Sequence, residues 1–161
     1  MENSQKRQGK WTVQENCWEK MGYICKKKMA YCVNDWEYYV SMLPKTYTDA
    51  VEYCKWWGGS LTSINSREEE LKLIDTLSQL TRSYWIGLND RKSPGKFVWI
   101  DGSGGLYRNW HFGEPNNHKM NEDCASLNYN VRRTWSWWND LNCDNNRPFI
   151  CKRCPEGKPL F

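Results

Sequence analysis

Two stretches in the first half of the chain repeat their apolar residues at helical spacing. In TYTDAVEYCKWWGG, Ala50, Val51, Cys54 and Trp57 fall on one face, Thr46 can cap the start and Gly58-Gly59 stops the run. In SREEELKLIDTLSQL, Leu71, Ile74, Leu77 and Leu80 recur with the same period, and Ser66 and Glu69 have capping-box spacing, which predicts a second helix over 66–80. Beyond Arg82 the pattern shortens. YWIGL (84–88), KFVWI (96–100), DCASLNY (123–129), TWSWW (134–138) and PFICK (148–152) read as strands separated by loops rich in Gly, Asn and Asp. WEYYV (36–40) supplies one more strand ahead of the helices. Strand, two helices, then several short strands is an α+β order with segregated elements.

At 161 residues the chain suits one domain with some flanking sequence. Its 11 Trp, 9 Tyr and 4 Phe predict an aromatic-rich core. The 8 Cys favour disulfides, hence an oxidising compartment: the secretory pathway or the cell exterior. No apolar run approaches the roughly 20 residues of a membrane span, and the polar start MENSQKRQGK is no signal peptide. The sequence therefore reads as a piece of a secreted protein or ectodomain. A net charge of +4 is modest and scattered, so no nucleic-acid partner is expected, and KKK at 26–28 reads as a solvated linker.

One stretch echoes another. WTVQENCWEKMGYICKKK (11–28) resembles WNDLNCDNNRPFICKR (138–153): Cys17 and Cys25 have the separation of Cys143 and Cys151, and each pair ends in aromatic-Ile-Cys-Lys. We read 1–28 as a linker or the tail of a preceding copy of one domain, 29–153 as the domain itself, and 154–161 as a linker or the start of a following domain.

GGSLTSI (58–64), WIGL (85–88), WIDGS (99–103), NW (109–110), EPN (114–116), EDC (122–124), WND (138–140), Cys143 and FIC (149–151) together resemble the C-type lectin-like domain, in the family's order from about Cys32 to Arg153. The flanks look most like the tandem lectin-like domains of the mannose receptor family, so neighbouring lectin-like domains are expected in the parent chain. The resemblance implies the C-type lectin fold, with two helices, short antiparallel sheets and a long calcium-binding loop region, stapled by disulfides Cys54–Cys151 and Cys124–Cys143. Leu43 stands where a partner of Cys32 is expected, which leaves Cys154 as a candidate, and the pairing of Cys17 and Cys25 stays open.

The resemblance further implies that Glu114, Asn116, Glu122, Asn139 and Asp140 form a principal calcium site. Calcium takes about 6 to 8 oxygen ligands in irregular geometry, and a cis Glu114-Pro115 bond would aim both neighbouring side chains at one point. Vicinal sugar hydroxyls would complete the shell, giving a lone pair to the ion and a proton to a carboxylate while accepting from an amide N–H. Glu before Asn around the proline resembles the mannose-type members, which take the equatorial 3- and 4-hydroxyls of mannose, fucose or N-acetylglucosamine. The expected partners are thus mannose-type glycans or glycoproteins, with His118 a further candidate for the sugar ring. Asp90, Asn117 and Asp123 are candidates for a second calcium site, weak or empty because Pro94 and Asn117 stand where acids are expected. Trp135 and Trp137 are expected to pack in the core or at the rim, and Arg132 and Arg133 either to contact a glycan or protein, or to be solvated.

An enzyme is not expected: Glu114 and Glu122 lie among asparagines instead of the apolar wall that raises a catalytic acid, and neither His111 nor His118 belongs to a nucleophile motif. The competing reading is a lectin-like domain that binds a protein, collagen-like or an enzyme, without sugar. Both readings place the domain outside the cell, as a module of a secreted protein or endocytic receptor.

Overall fold

A computed structural model describes residues 36–77, 82–130 and 135–155, all within one compact unit, Tyr31–Phe161. Helix α1 (Tyr47–Trp56) starts where expected: the Thr46 hydroxyl accepts from the Asp49 amide at 3.2 Å. Tyr47, Ala50, Val51 and Cys54 form its buried face. Trp57 is the C-cap, and Gly58 ends the helix at φ 86. Gly59 passes so close to the Lys152 carbonyl that a Cβ would collide with it, so only glycine fits there.

Helix α2 (Arg67–Thr76) departs from its expected inward face. Ser66 caps it, accepting from the Glu69 amide at 3.1 Å, but the return arm of the box lands one residue early: Asn65 N–H donates to the Glu69 carboxylate at 2.8 Å. The buried positions are Glu70, Leu73, Ile74 and Leu77, whereas Leu71 is 49% exposed. Four donors inside the fold draw Glu70 inward: Tyr107 hydroxyl (2.6 Å), Ser136 hydroxyl (2.7 Å), Asn109 Nδ2 (2.9 Å) and Trp138 Nε1 (3.1 Å). A carboxylate held this way can occupy a position that periodicity alone assigns to an apolar side chain. Leu80 lies outside the described residues.

The strands are β1 (Glu37–Lys45), β2 (Ser60–Leu61), β3 (Arg82–Asn89), β4 (Val98–Trp99), β5 (Cys124–Asn130), β6 (Trp135–Leu141) and β7 (Arg147–Arg153). They run in the order β1-β7-β3-β5-β6, with β2 on β7 and β4 on β3. All pairs are antiparallel except β3 with β7, which meet in parallel at Trp85 and Phe149. The run expected over 96–100 forms only two strand residues, and β2 was not anticipated. Pro44 is tolerated because β1 lies at the sheet edge.

The core has two parts. Tyr47, Cys54, Trp85, Phe149 and Cys151 join α1 to β3 and β7. Leu73, Ile74, Ile86, Leu127, Trp138 and Ile150 join α2 to the sheet. Two disulfides lock these parts: Cys54–Cys151, 97 residues apart, and Cys124–Cys143, 19 apart. Cys151 and Cys154 stand at C-x-x-C spacing yet do not pair, since Cys151 holds Cys54 and Cys154 has its own disulfide. Cys32, the candidate partner, lies outside the described residues, as do Cys17, Cys25 and the expected repeat tail over 1–28. Among the described residues no helix is long and apolar enough to cross a membrane.

Candidate functional site

Strand β6 carries the first part of the site. It pairs with β5 so that Asn139 faces Ser126 and Asp140 faces Ala125. Its outer edge is covered by backbone: Trp138 N–H donates to the Asn109 carbonyl at 2.6 Å and His111 N–H to the Trp138 carbonyl at 2.9 Å. That contact delivers the following loop, 112–122, to the end of β6 where Asp140 lies fully buried.

The Glu114-Pro115 bond is cis. Asn116 N–H then points at two carboxylates at once, Glu114 Oε2 at 3.0 Å and Asp140 Oδ1 at 3.1 Å, while Asn116 Nδ2 donates to Glu114 Oε1 at 2.8 Å. Asn117 N–H donates to Asp140 Oδ2 at 2.8 Å. Beyond it the chain folds over in a 3-10 turn, His118–Met120, in which Lys119 and Met120 hold φ of 58 and 55, following Asn117 at 45. Left-handed backbone costs roughly 1–2 kcal/mol for an ordinary side chain, and such strain collects at ligand loops. The turn brings Glu122 back: its carboxylate accepts from His118 N–H at 2.9 Å, and its own N–H donates to Asn117 Oδ1 at 3.1 Å. Glu114, Asn116, Asp140 and Glu122 are therefore tied into one network through Asn117. Asn139 adjoins it by position in β6, but no hydrogen bond links its side chain to the other four among the described residues.

Burial raises the Glu114 carboxyl above its ordinary pKa, and the Asp140 carboxylate beside it pushes the same way, against the amide hydrogen bonds of Asn116. Among the described residues no ion pair reaches Glu114, Glu122 or Asp140. No three His, Cys, Asp or Glu side chains among them converge tightly enough to hold a metal alone. An ion here would need the amide oxygens of Asn116 and Asn139 as well. An all-oxygen set of carboxylates and amides, with two acids facing across a shared N–H, fits a hard cation such as calcium and not zinc, which prefers nitrogen and sulfur.

Of the second candidate set, Asp90 is 3% exposed, accepts from Gly95 N–H at 2.6 Å and keeps its Oδ1 buried without a partner. Its amide donates to the Asp123 carbonyl at 3.1 Å, while Asn117 is engaged with the principal network. His118 is exposed beside Glu122. Trp137 is half-buried and Trp135 is 40% exposed, their rings tilted by 32° with centres 4.4 Å apart and flanked by His111; both belong to the rim. Arg132 and Arg133 lie outside the described residues. Sequence reasoning missed Glu70, although its spacing to Leu73, Ile74 and Leu77 was a usable signal.

Residues 43–153 match the model of the Lectin C-type domain. Salivary C-type lectin 2 of Aedes albopictus is 36% identical over 116 residues, 67% of this chain and 77% of that protein. The carbohydrate-recognition domain of mouse scavenger receptor C-type lectin is 36% identical with a TM-score of 0.67, over 80% of this chain and 96% of that one. The cow CD23 domain, solved in the presence of a GlcNAc2Man3 oligosaccharide, is 30% identical with a TM-score of 0.66, over 78% of this chain and 98% of that one. The relatives are diverse C-type lectins, not specifically the mannose receptor family.

Proposed function

Because the chain belongs to the C-type lectin domain family and so is a carbohydrate-recognition domain, not an enzyme, we propose that it binds mannose, fucose or N-acetylglucosamine in the presence of calcium. Glu114, Asn116, Glu122, Asn139 and Asp140 would hold the ion, and His118 would flank the sugar. Calcium, when bound, supplies coordination to two neighbouring hydroxyls. The chain's own part is directional: each carboxylate accepts a hydroxyl proton and each amide N–H donates to a hydroxyl oxygen, so an acid and an amide bracket each position.

The observation that carries this reading is the pairing of Glu114 and Asp140 across one N–H, an arrangement in which two acids lack a balancing charge. The order Glu114-Pro115-Asn116 supports mannose-type over galactose-type choice. Asp90, Asn117 and Asp123 support at most a weak second site, in which the unpartnered Asp90 oxygen is the strongest element. The disulfides and the secreted or surface nature of C-type lectins support an extracellular place. The echo between 11–28 and 138–153 supports a parent chain with neighbouring lectin-like domains.

Exchanging Glu114→Gln with Asn116→Asp tests the choice directly. Inhibition of binding to a mannose resin should move from mannose toward galactose by at least tenfold in relative potency; an unchanged ranking would show that these residues do not read the sugar. Loss of that retention in EDTA would support the lectin reading, whereas binding to a protein partner unaffected by EDTA would favour the protein-binding alternative. A calcium-independent type II antifreeze protein shares the fold at 29% identity and a TM-score of 0.63, so the fold by itself does not require the metal.

A further inference from the structure

A cavity of about 240 Å³ opens between the start of α2 and the start of β6, lined by Arg67, Glu70, Leu71, Ile74, Tyr107, Asn109, Trp135 and Ser136. It lies at the opposite end of β6 from Asp140: Trp135 and Asn139 are four residues apart, roughly 13 Å along a strand. Pockets for drug-sized ligands run to about 300–1,000 Å³, so this one suits a single ring.

The floor sets the chemistry. Glu70 takes the protons of Tyr107, Ser136 and Asn109, so what these side chains have left for a visitor is lone pairs. A ligand must then bring its own donors. Leu71 and Ile74 form one apolar wall, and the exposed ring of Trp135, held by Trp137 behind it, forms another. Arg67 is exposed at the rim and makes no ion pair among the described residues, which leaves it free to donate to an ether or ring oxygen. The buried negative charge of Glu70 disfavours an anion. Hydroxyl donors around a ring with an apolar face describe a neutral pyranose.

We propose that this cavity is a second saccharide site, independent of the calcium loop and of any metal, in which a neutral pyranose stacks on Trp135 and donates its hydroxyls to Tyr107, Asn109 and Ser136. It does not rest on the function proposed for the 114–122 loop.

The test is a titration of the protein with methyl β-glucopyranoside in excess EDTA, followed by amide and indole NMR signals. The Trp135 indole and the amides of Asn109 and Ser136 should shift along one saturating curve, while the amides of 114–122 stay in place. Trp135→Ala should lose the shifts. Leu71→Trp, which fills the cavity from an exposed position without touching the Glu70 hydrogen bonds, should weaken binding at least tenfold with the spectrum otherwise folded. Absence of shifts in EDTA, shifts confined to 114–122, or equal binding by Leu71→Trp would each overturn the proposal.

Discussion

Glu114 is partly buried beside the Asp140 carboxylate, and the consequence is a pH dependence with a definite sign. The Glu114 carboxyl is raised above its ordinary value, so in the metal-free fold it binds its proton more tightly than in the unfolded chain. Its ionisation therefore subtracts stability as pH rises from the ordinary carboxylate range through the raised value, and protonation restores it as pH falls. A cation reverses this by favouring the ionised form, so calcium affinity should drop as pH descends into that window. Equal calcium affinity at neutral and endosomal pH, measured by calorimetry, would contradict it. Glu70 gives an independent check on the scaffold. Glu70→Ala strips the acceptor from four donors, each worth about 1–3 kcal/mol when stranded, and should cost at least about 3 kcal/mol in urea unfolding. Glu70→Gln, which keeps an acceptor oxygen, should cost less.

At the level of elements, the residues that begin helices were legible because capping is local: Thr46 and Ser66 needed only their own next three residues. Thr46→Ala should lower stability by about 1 kcal/mol, read as a reduced urea midpoint at unchanged slope. The inward face of α2 was less legible, because Glu70 is placed by Tyr107, Asn109, Ser136 and Trp138, all distant in sequence. The strand expected over 96–100 narrows to Val98–Trp99, although Ile100 N–H still donates in register to the Gly87 carbonyl of β3 and its side chain stays 39% exposed. The disulfides Cys54–Cys151 and Cys124–Cys143 came from the family pattern, which spacing alone does not yield. Their loops of 97 and 19 residues predict unequal worth, roughly 4–5 against roughly 3 kcal/mol in chain-entropy models. Replacing Cys54 and Cys151 by alanine should thus lower the melting temperature more than replacing Cys124 and Cys143.

For the whole molecule, the sheet fixes β6 and the Cys124–Cys143 disulfide ties β5 to the segment just after β6, so the 112–122 loop meets a preformed wall at Asp140. Glu114, Asn116, Glu122 and Asp140, singled out in EPN, EDC and WND, come together in one hydrogen-bonded network; what was not readable is the part of Asn117, whose amide and side chain tie Asp140 to Glu122. A ligand that binds only the folded state adds RT ln(1 + [L]/Kd), about 2.7 kcal/mol at a hundredfold excess over Kd. The domain should accordingly melt higher in calcium than in EDTA, and less so for Asp140→Asn. The most direct measurement is calorimetry of the intact protein, first with calcium and then with mannose. The account predicts calcium binding at the principal site, and an added mannose heat that appears only with calcium and that galactose does not give. No calcium binding, or mannose heat undiminished by EDTA, would contradict it.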